Sequence, residues 1–411
     1  MSSLTFYDYL NALEAPVIIP CLKLEWLNPD DTVSHEITTD LYNTNGTLNI
    51  TNQNGCRRTF NLQIHNDDGR YDIDVNKIWL GQKVKLYLGL YIGDTPYLIQ
   101  QGVFYITNPT DIMNTAERCI QLNCTDKWAY LDGSLFGTLD GIYKVPVGSD
   151  IFDATKKLLM TDRGNGLPLD STMPNISTYF NKKMTSLSNG TQVSVLETPF
   201  TATIERGQSY ADVLLQFNTM LAGCIYYDTV GRLNIEPNED DLEDKDKEIV
   251  YNFTQDNCEI LGKSRDYQFT EVYNDILCVG ATINGYMASG RATNTNIQSD
   301  LCVQRIGKKT KVFEDTNYYT DDLCQDWANY LLRQNTILQS SLNITTIPMY
   351  HLDVNKLITI TNEKNHLEQE KFLINSLSIP LGIGQMSMSV ISVNELDAVY
   401  KSTQNSEAGV G

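Results

Sequence analysis

"RRTFNLQIHNDDGRYDIDVNKIWLGQKVKLYLGL", residues 57–90, holds two alternating runs separated by an acidic stretch. In the first run, Phe60, Leu62 and Ile64 fall on one face, while Asn61, Gln63 and His65 fall on the other. That two-residue period is the mark of a half-buried strand. In the second, Val84, Leu86, Leu88 and Leu90 alternate with Lys83, Lys85, Tyr87 and Gly89. Between the runs, Asp67, Asp68, Asp72 and Asp74 surround Gly69. Carboxylates this close invite a metal reading, but no glutamate closes a twelve-residue calcium loop. Asn, Asp and Gly where an alternating run ends serve a turn, so we expect a strand connection without chemistry.

The same period continues outward. Strands are expected at "YLIQQGVFYIT" (97–107) and "RCIQLNC" (118–124), and again at "ILCVGATI" (276–283), "LNITTIP" (342–348), "KLITITN" (356–362), "KFLINSLSIP" (371–380) and "QMSMSVISV" (385–393). Short repeated strands of this kind predict a mainly β, α+β chain with antiparallel barrels or sandwiches at both ends. The middle differs. "SDIFDATKKLLM" (149–160) reads as a helix capped by Ser149 or Asp150, with Ile151, Leu158 and Leu159 facing inward. "SYADVLLQFNTMLAG" (209–223) is a second helix, capped by Ser209, with Val213, Leu214, Phe217 and Leu221 as its stripe. It runs into a hairpin, "CIYYDTVGRLNIEP", with Gly231 in the turn. A short opening helix places Phe6, Leu10 and Leu13 at helical spacing before Pro16. A late helix, 320–334, has Thr320 as cap and Leu323, Trp327, Tyr330 and Leu331 as its expected buried face. The polar stretch 161–200 reads as a surface excursion, and "NEDDLEDKDKEI" (238–249) as a solvated charge run.

Bulk properties bound the function. At 411 residues the chain is long enough for two or three cores, and 41% apolar content is that of a folded protein. The net charge of −20 argues against stable nucleic-acid binding or residence on an anionic membrane. No stretch near the N-terminus reads as a signal peptide or a membrane span, so membrane insertion is not expected. Nine cysteines without close pairs predict buried, reduced thiols; Cys119 and Cys124, the nearest pair, fall on opposite strand faces.

Two places carry a chemical alternative. Gly207-Gln208-Ser209-Tyr210-Ala211 approximates a Gly-x-Ser-x-Gly elbow between "FTATIE" and a helix, which would make Ser209 the nucleophile of a hydrolase or esterase. The alanine departs from that motif, and a serine at a helix start is a cap. His366, Glu368 and Glu370 would share one strand face as a weak metal group, within a polar stretch that reads as an exposed hairpin tip. No histidine–glutamate zinc motif, phosphate loop or dinucleotide glycine pattern occurs. No catalytic, cofactor or metal residue is therefore expected, and no enzymatic activity.

Two segments go further. Arg58-x-Phe60-x-Leu62-x-Ile64-x-Asn66-x-Asp68-Gly69-x-Tyr71, followed by Ile78-Trp79-Leu80-Gly81-Gln82-x-Val84-x-Leu86, resembles the opening domain of phage tail hub proteins. Tyr210-x-Asp212-Val213-Leu214, Met220 to Gly223, Tyr227-Asp228 and Gly231-Arg232-Leu233 resemble the middle of the same proteins. The order of the C-terminal strands fits as well, so the resemblance spreads from about residue 45 to about residue 395. Residues 161–200 and the segment around 286–318 have no counterpart in it, and a fused C-terminal enzyme or adhesin is not expected.

The resemblance implies two tail-tube-like β-barrel domains, 17–145 and 250–396, the latter including helix 320–334. They flank an α/β middle module, 146–249, with an N-terminal arm at 1–16 and a flexible tail at 397–411. It further implies a homotrimer whose six barrels form a ring between the six-fold tail tube and the tip or spike. Expected partners are the tail tube or distal tail protein, the tip or spike protein and the tape-measure protein, with DNA passing through the lumen. The expected location is the virion tail or baseplate, after assembly in the host cytoplasm, with roles in host attachment and DNA ejection. A receptor- or carbohydrate-binding tip protein, using the 161–200 segment, is the other alternative.

Overall fold

The computed structural model describes all residues except 1–3, 29–30, 39–45, 73–81, 114–117, 165, 187–191, 222, 238–247, 255–259, 268–269, 271, 284, 298, 316–317, 319, 336–339, 363–366 and 394–411. The chain is mostly β. After a helix at Phe6–Leu13 come β1 (Pro20–Leu27), β2 (Val33–Ile37), β3 (Thr47–Thr51), β4 (Arg58–His65), β5 (Lys83–Ile92), β6 (Thr95–Ile106), β7 (Thr110–Met113) and β8 (Arg118–Asp126). The alternation of the opening quotation holds in space: Arg58, Phe60, Leu62 and Ile64 are buried along β4, whereas Thr59 is exposed. β4 pairs antiparallel with β8, setting Leu62 against Leu122, and β5 pairs with β1 and β6.

The middle contributes a helix at Ile151–Leu159, a helix at Tyr210–Leu221, and short strands β9 (Tyr143–Val145), β10 (Asn175–Ile176), β11 (Met184–Ser186), β12 (Gln192–Ser194), β13 (Ala202–Ile204), β14 (Cys224–Tyr227) and β15 (Leu233–Glu236). Asp150, not Ser149, caps the first helix by accepting the Asp153 N–H at 2.9 Å. The stripe Val213, Leu214, Phe217 and Leu221 is buried as the periodicity requires. Both helices and the β14–β15 hairpin surround one apolar core that runs from Trp128 to Ile235. The 161–200 segment was expected at the surface, yet Leu169, Phe180, Val195 and Phe200 are buried. Its few apolar residues are spaced too widely for a periodic signal, so sequence patterning missed their inward direction.

The remaining strands are β16 (Ile249–Phe253), β17 (Ile260–Tyr267), β18 (Asp275–Ile283), β19 (Tyr286–Thr293), β20 (Thr310–Glu314), β21 (Ser340–Thr346), β22 (Leu357–Asn362), β23 (Leu367–Pro380) and β24 (Met386–Ser392). Most of them join the N-terminal strands in one sheet, ordered β17-β21-β24-β23-β3-β4-β8-β6-β5-β1-β2, with β16, β22 and β7 attached at the side. The seam is the antiparallel pair β3–β23, which sets Ile50 against Leu377 and Leu48 against Ile379. A single apolar core under this sheet takes residues from both ends of the chain, from Tyr9 to Val390. Two separate closed barrels were expected; the pairings among the described residues close no barrel, and the two β regions share a ladder instead. Alternation fixes which face of a strand is buried, but not which strand it pairs with, so this seam was not readable from the sequence.

β18, β19 and β20 form their own three-stranded sheet, covered on one face by the helix Asp321–Asn335. Thr320 caps that helix, accepting the Leu323 N–H at 3.2 Å. Its seam with the sheet is not the expected Leu323–Trp327–Tyr330–Leu331 face: Cys324, Ala328 and Leu332 are the buried residues, and the larger side chains are half-buried beside them. The helix lies too near the sheet for large residues. A Cβ added at Gly290 would sit 2.2 Å from the Gln325 backbone nitrogen, and one at Gly280 would sit 2.9 Å from the Cys324 Sγ. Close approach selects small residues on both sides and displaces the aromatics to the flank.

Candidate functional site

The described part of the acidic stretch, residues 66–72, is a turn. Asn66 is fully buried and organises it, accepting the Tyr71 N–H at 2.8 Å and donating to Asp72 Oδ1 at 2.7 Å. Arg118 Nη2 donates to both Asp72 oxygens at 2.7 Å, and Asp68 pairs with Arg70. These cationic and amide partners occupy the lone pairs that a metal would need. Asp74 lies outside the described residues, as does His366. Glu368 is exposed, and Glu370 accepts the Ser392 hydroxyl at 2.9 Å. The left-handed backbone at Gln369 (φ 49°) breaks the alternation that would have aligned the two glutamates. No group of three potential metal ligands occurs among the described residues.

Ser209 sits at the start of the Tyr210–Leu221 helix. Its hydroxyl and its backbone N–H both donate to Asp212 Oδ2, at 2.9 and 2.7 Å. A carboxylate three residues into a helix, accepting the N–H of the residue that precedes it, is one half of a capping box. The hydroxyl's partner is thus an acceptor-only carboxylate rather than a histidine.

The most heavily partnered polar cluster among the described residues is a buried junction. The inward parity that buries Phe60 and Leu62 also directs Arg58 inward, where its side chain is 1% exposed. Nη1 donates to the Tyr227 carbonyl at 3.0 Å, and Nη2 pairs with Asp353. Asp126, at the end of β8, accepts the backbone N–H groups of Arg57 and Arg58 at 2.8 and 3.0 Å through Oδ2, and of Trp128 at 3.1 Å through Oδ1. Burial pushes the Asp126 carboxyl above its ordinary value, while those N–H groups and Arg58 pull it back. The next residue, Lys127, is buried with Asp170: Nζ donates to Asp170 at 2.6 Å and to the Gly231 carbonyl at 2.9 Å. Arg57 lies over the Tyr226 ring at 3.4 Å, and Asn355 donates to Glu236 at 3.0 Å.

Three stretches of chain meet here: residues 57–58 with 126–128, residues 170–236, and residues 353–355. A lone buried charge is costly, so each held in place by a partner from another stretch ties those stretches together. The sequence contained one signal for this: Arg58 shares strand parity with Phe60, Leu62 and Ile64, and an inward arginine demands a buried acceptor. Asp126, Asp170 and Asp353 carried no comparable signal in so acidic a chain.

The opening helix adds a second tie. Its buried anchors are Tyr9 and Leu13, while the expected Phe6 is 48% exposed. The Tyr9 hydroxyl accepts the Tyr350 N–H at 2.9 Å and lies 3.3 Å from His351 Nδ1. Phe6, Tyr9 and Tyr251 all pack against the His351 ring. Burial holds the His351 imidazole down to about 4. The eight described cysteines are free thiols, and no described helix is long and apolar enough to cross a membrane.

The arrangement is a buried polar junction between the large sheet and the middle of the chain. Comparison with known proteins bears on the fold. A family model described as "Domain of unknown function (DUF5048)" matches residues 298–396. No curated protein matches the sequence. Among solved structures, the 43 kDa tail protein of prophage MuSo2 from Shewanella oneidensis is 13% identical, with a TM-score of 0.57 over 92% of this chain and 99% of that one. The tail protein from Neisseria meningitidis MC58 is 10% identical, with a TM-score of 0.61 over 92% and 99%. Prophage tail protein gp18 from Listeria monocytogenes EGD-e is 11% identical, with a TM-score of 0.53 over 94% and 99%. The chain has the fold of these phage tail proteins.

Proposed function

We propose that the chain is a structural hub subunit of a phage or phage-derived tail, without enzymatic activity. The observation that carries this reading is the extent of the likeness: 92% of the chain superimposes on 99% of two separate tail proteins, so the whole architecture is shared rather than one module. In this reading the two β regions, 17–145 and 250–396, act as the tube-like units, and 146–249 is a peripheral module facing neighbouring tail proteins. Three chains set six such units in a ring between the tube and the tip or spike, with the tape-measure protein above. Cyclic closure buries matching surfaces and leaves no open end. The large sheet supports it by ending in β2 and β17, each paired on one side only among the described residues; such edges are ready templates for another chain.

The charge balance suits a DNA conduit. A net charge of −20 gives a wall that repels the genome and lets it slide. At physiological ionic strength that repulsion reaches only about 8 Å, so it acts from residues at the lumen. In the virion, the chain would sit at the tail end. The test is to express it with an epitope tag in its own phage or prophage background and label purified tails. Label confined to one end of the tail supports the reading; label absent from intact tails rejects it.

A further inference from the structure

Charge is divided around the three-stranded sheet β18–β20. Residues 291–311 hold five cations, Arg291, Arg305, Lys308, Lys309 and Lys311, against the single acid Asp300. Residues 312–332 hold five acids, Glu314, Asp315, Asp321, Asp322 and Asp326, and no cation. The fold turns this division into two ends. β20 runs parallel to β18, with Thr310 beside Asp275 and Glu314 beside Val279, and β19 runs back along it, with Thr293 opposite Asp275. At the Asp275 end, buried Asn274 gathers the following loop, donating to the Leu301 and Gly307 carbonyls at 3.0 and 2.8 Å and accepting the Lys309 N–H at 2.8 Å. Asp275, equally buried, accepts two hydrogen bonds from Arg291 at 3.0 and 2.7 Å, and Lys308 Nζ lies 3.5 Å from it. At the other end, the Asp315 N–H donates to the Val279 carbonyl at 3.0 Å, and Asp321 accepts the Tyr286 hydroxyl and the Ser289 N–H.

We propose that this module joins copies of the chain head to tail, the cationic end of one copy seated on the acidic end of the next. This contact rests on the ring reading above, to which it supplies the surface. Four considerations point to a second copy. The two ends complement each other in charge, and complementary charge fixes the orientation of an encounter. Lys308 and Asp315 flank β20 roughly 20 Å apart along an extended strand, whereas screening at physiological ionic strength acts within about 8 Å. The ends therefore do not neutralise each other within one chain. Each end also shows apolar side chains at least half exposed, Ile297 and Ile306 at the cationic end, Tyr286 and Met287 at the acidic one; an apolar centre with a charged rim is the make-up of a protein interface. Finally, chains of net charge −20 repel one another, so like copies approach only where opposite charge is concentrated. The helix dipole accounts for Asp321 and Asp322 in the first turn, but Arg291, Arg305, Lys308 and Glu314 lie off the helix. A contact between two different ends is heterologous, and such contacts close into rings when the rotation between copies allows.

The experiment is sedimentation velocity of the full chain over a range of concentration and salt. Self-association is expected, weakening as salt rises. Arg305→Glu with Lys308→Glu reverses the cationic end, and Glu314→Lys with Asp322→Lys reverses the acidic end; either pair should weaken self-association about tenfold or more. The chain carrying all four substitutions has complementary ends again and should recover it, which a variant that merely misfolds cannot do. Association unchanged by either pair overturns the proposal and leaves the ring reading standing, as does loss in both pairs without recovery in the fourfold variant. A parent chain that stays monomeric rejects the ring reading and this contact with it. Duplex DNA retained by the parent chain and released by Arg305→Glu with Lys308→Glu, with self-association unchanged, assigns the cationic end to nucleic acid and overturns the proposal.

Discussion

Arg58 and Asp353 stand 295 residues apart in the chain and meet as an ion pair in its interior. The pair is asymmetric: the arginine is 1% exposed and the aspartate 29%. Arg58→Ala removes a buried cation from the Tyr227 carbonyl and from the field of Asp126, and should cost about 3–5 kcal/mol in urea unfolding. Asp353→Asn keeps a neutral acceptor beside the buried guanidinium and leaves Asp126 nearby, and should cost less, about 1–3 kcal/mol. Equal small losses would mean that the junction does not hold the three stretches together.

Lys127 and Asp170 make the more deeply buried pair, with side chains 6% and 3% exposed. Truncating either alone leaves an uncompensated charge and should destabilise by about 3–5 kcal/mol. Replacing both at once by Met and Leu should recover most of that loss. A double variant as unstable as the two singles combined would contradict the pairing.

Gly290 tests the close seam between helix and sheet. Gly290→Val puts a side chain against the Cys324–Gln325 backbone, where even a Cβ has no room. The expected cost is about 1–3 kcal/mol or more, read as a lower melting temperature. An unchanged melt would show that the helix lies farther from the sheet than described.

Acid should loosen the opening helix. An unfolded His351 takes its proton near the ordinary value of 6.5, whereas the folded one resists until about 4. Between those values the unfolded state binds more protons, so stability falls as pH drops through that window, by on the order of 3 kcal/mol. His351→Phe should flatten that part of the stability–pH curve. An identical slope in the variant would assign it to other groups.

Ser209→Ala removes a helix cap and should cost about 1 kcal/mol, while Ser209→Asn should cost less. Neither change should alter hydrolysis of ester or cell-wall substrates. An activity abolished by Ser209→Ala would overturn the structural reading of that residue.

Local periodicity carried much of the fold. Arg58 to Ile64, the Val213–Leu221 stripe and the Gly231 turn lie where alternation and capping place them, because each is decided within a few residues. What local patterning misses is decided by distant chain. Nothing near Leu377 announces β3 as its neighbour. Nothing near Asp321–Asn335 says that Gly280 and Gly290 will draw in Cys324 and Ala328 and push Trp327 aside. Tyr9 replaces Phe6 as an anchor because its hydroxyl finds the Tyr350 backbone, 341 residues away. The same holds for the junction: Arg58 was marked by its parity, but its acceptors come from elsewhere in the chain.

The proposed hub role requires assembly into a ring around a pore. Native mass spectrometry of the purified chain with its tail-tube partner, followed by electron cryomicroscopy of the complex, tests it most directly. Three copies closing around a central channel at the end of a six-fold tube are expected. A chain that stays monomeric at every concentration and joins no tail component would contradict it.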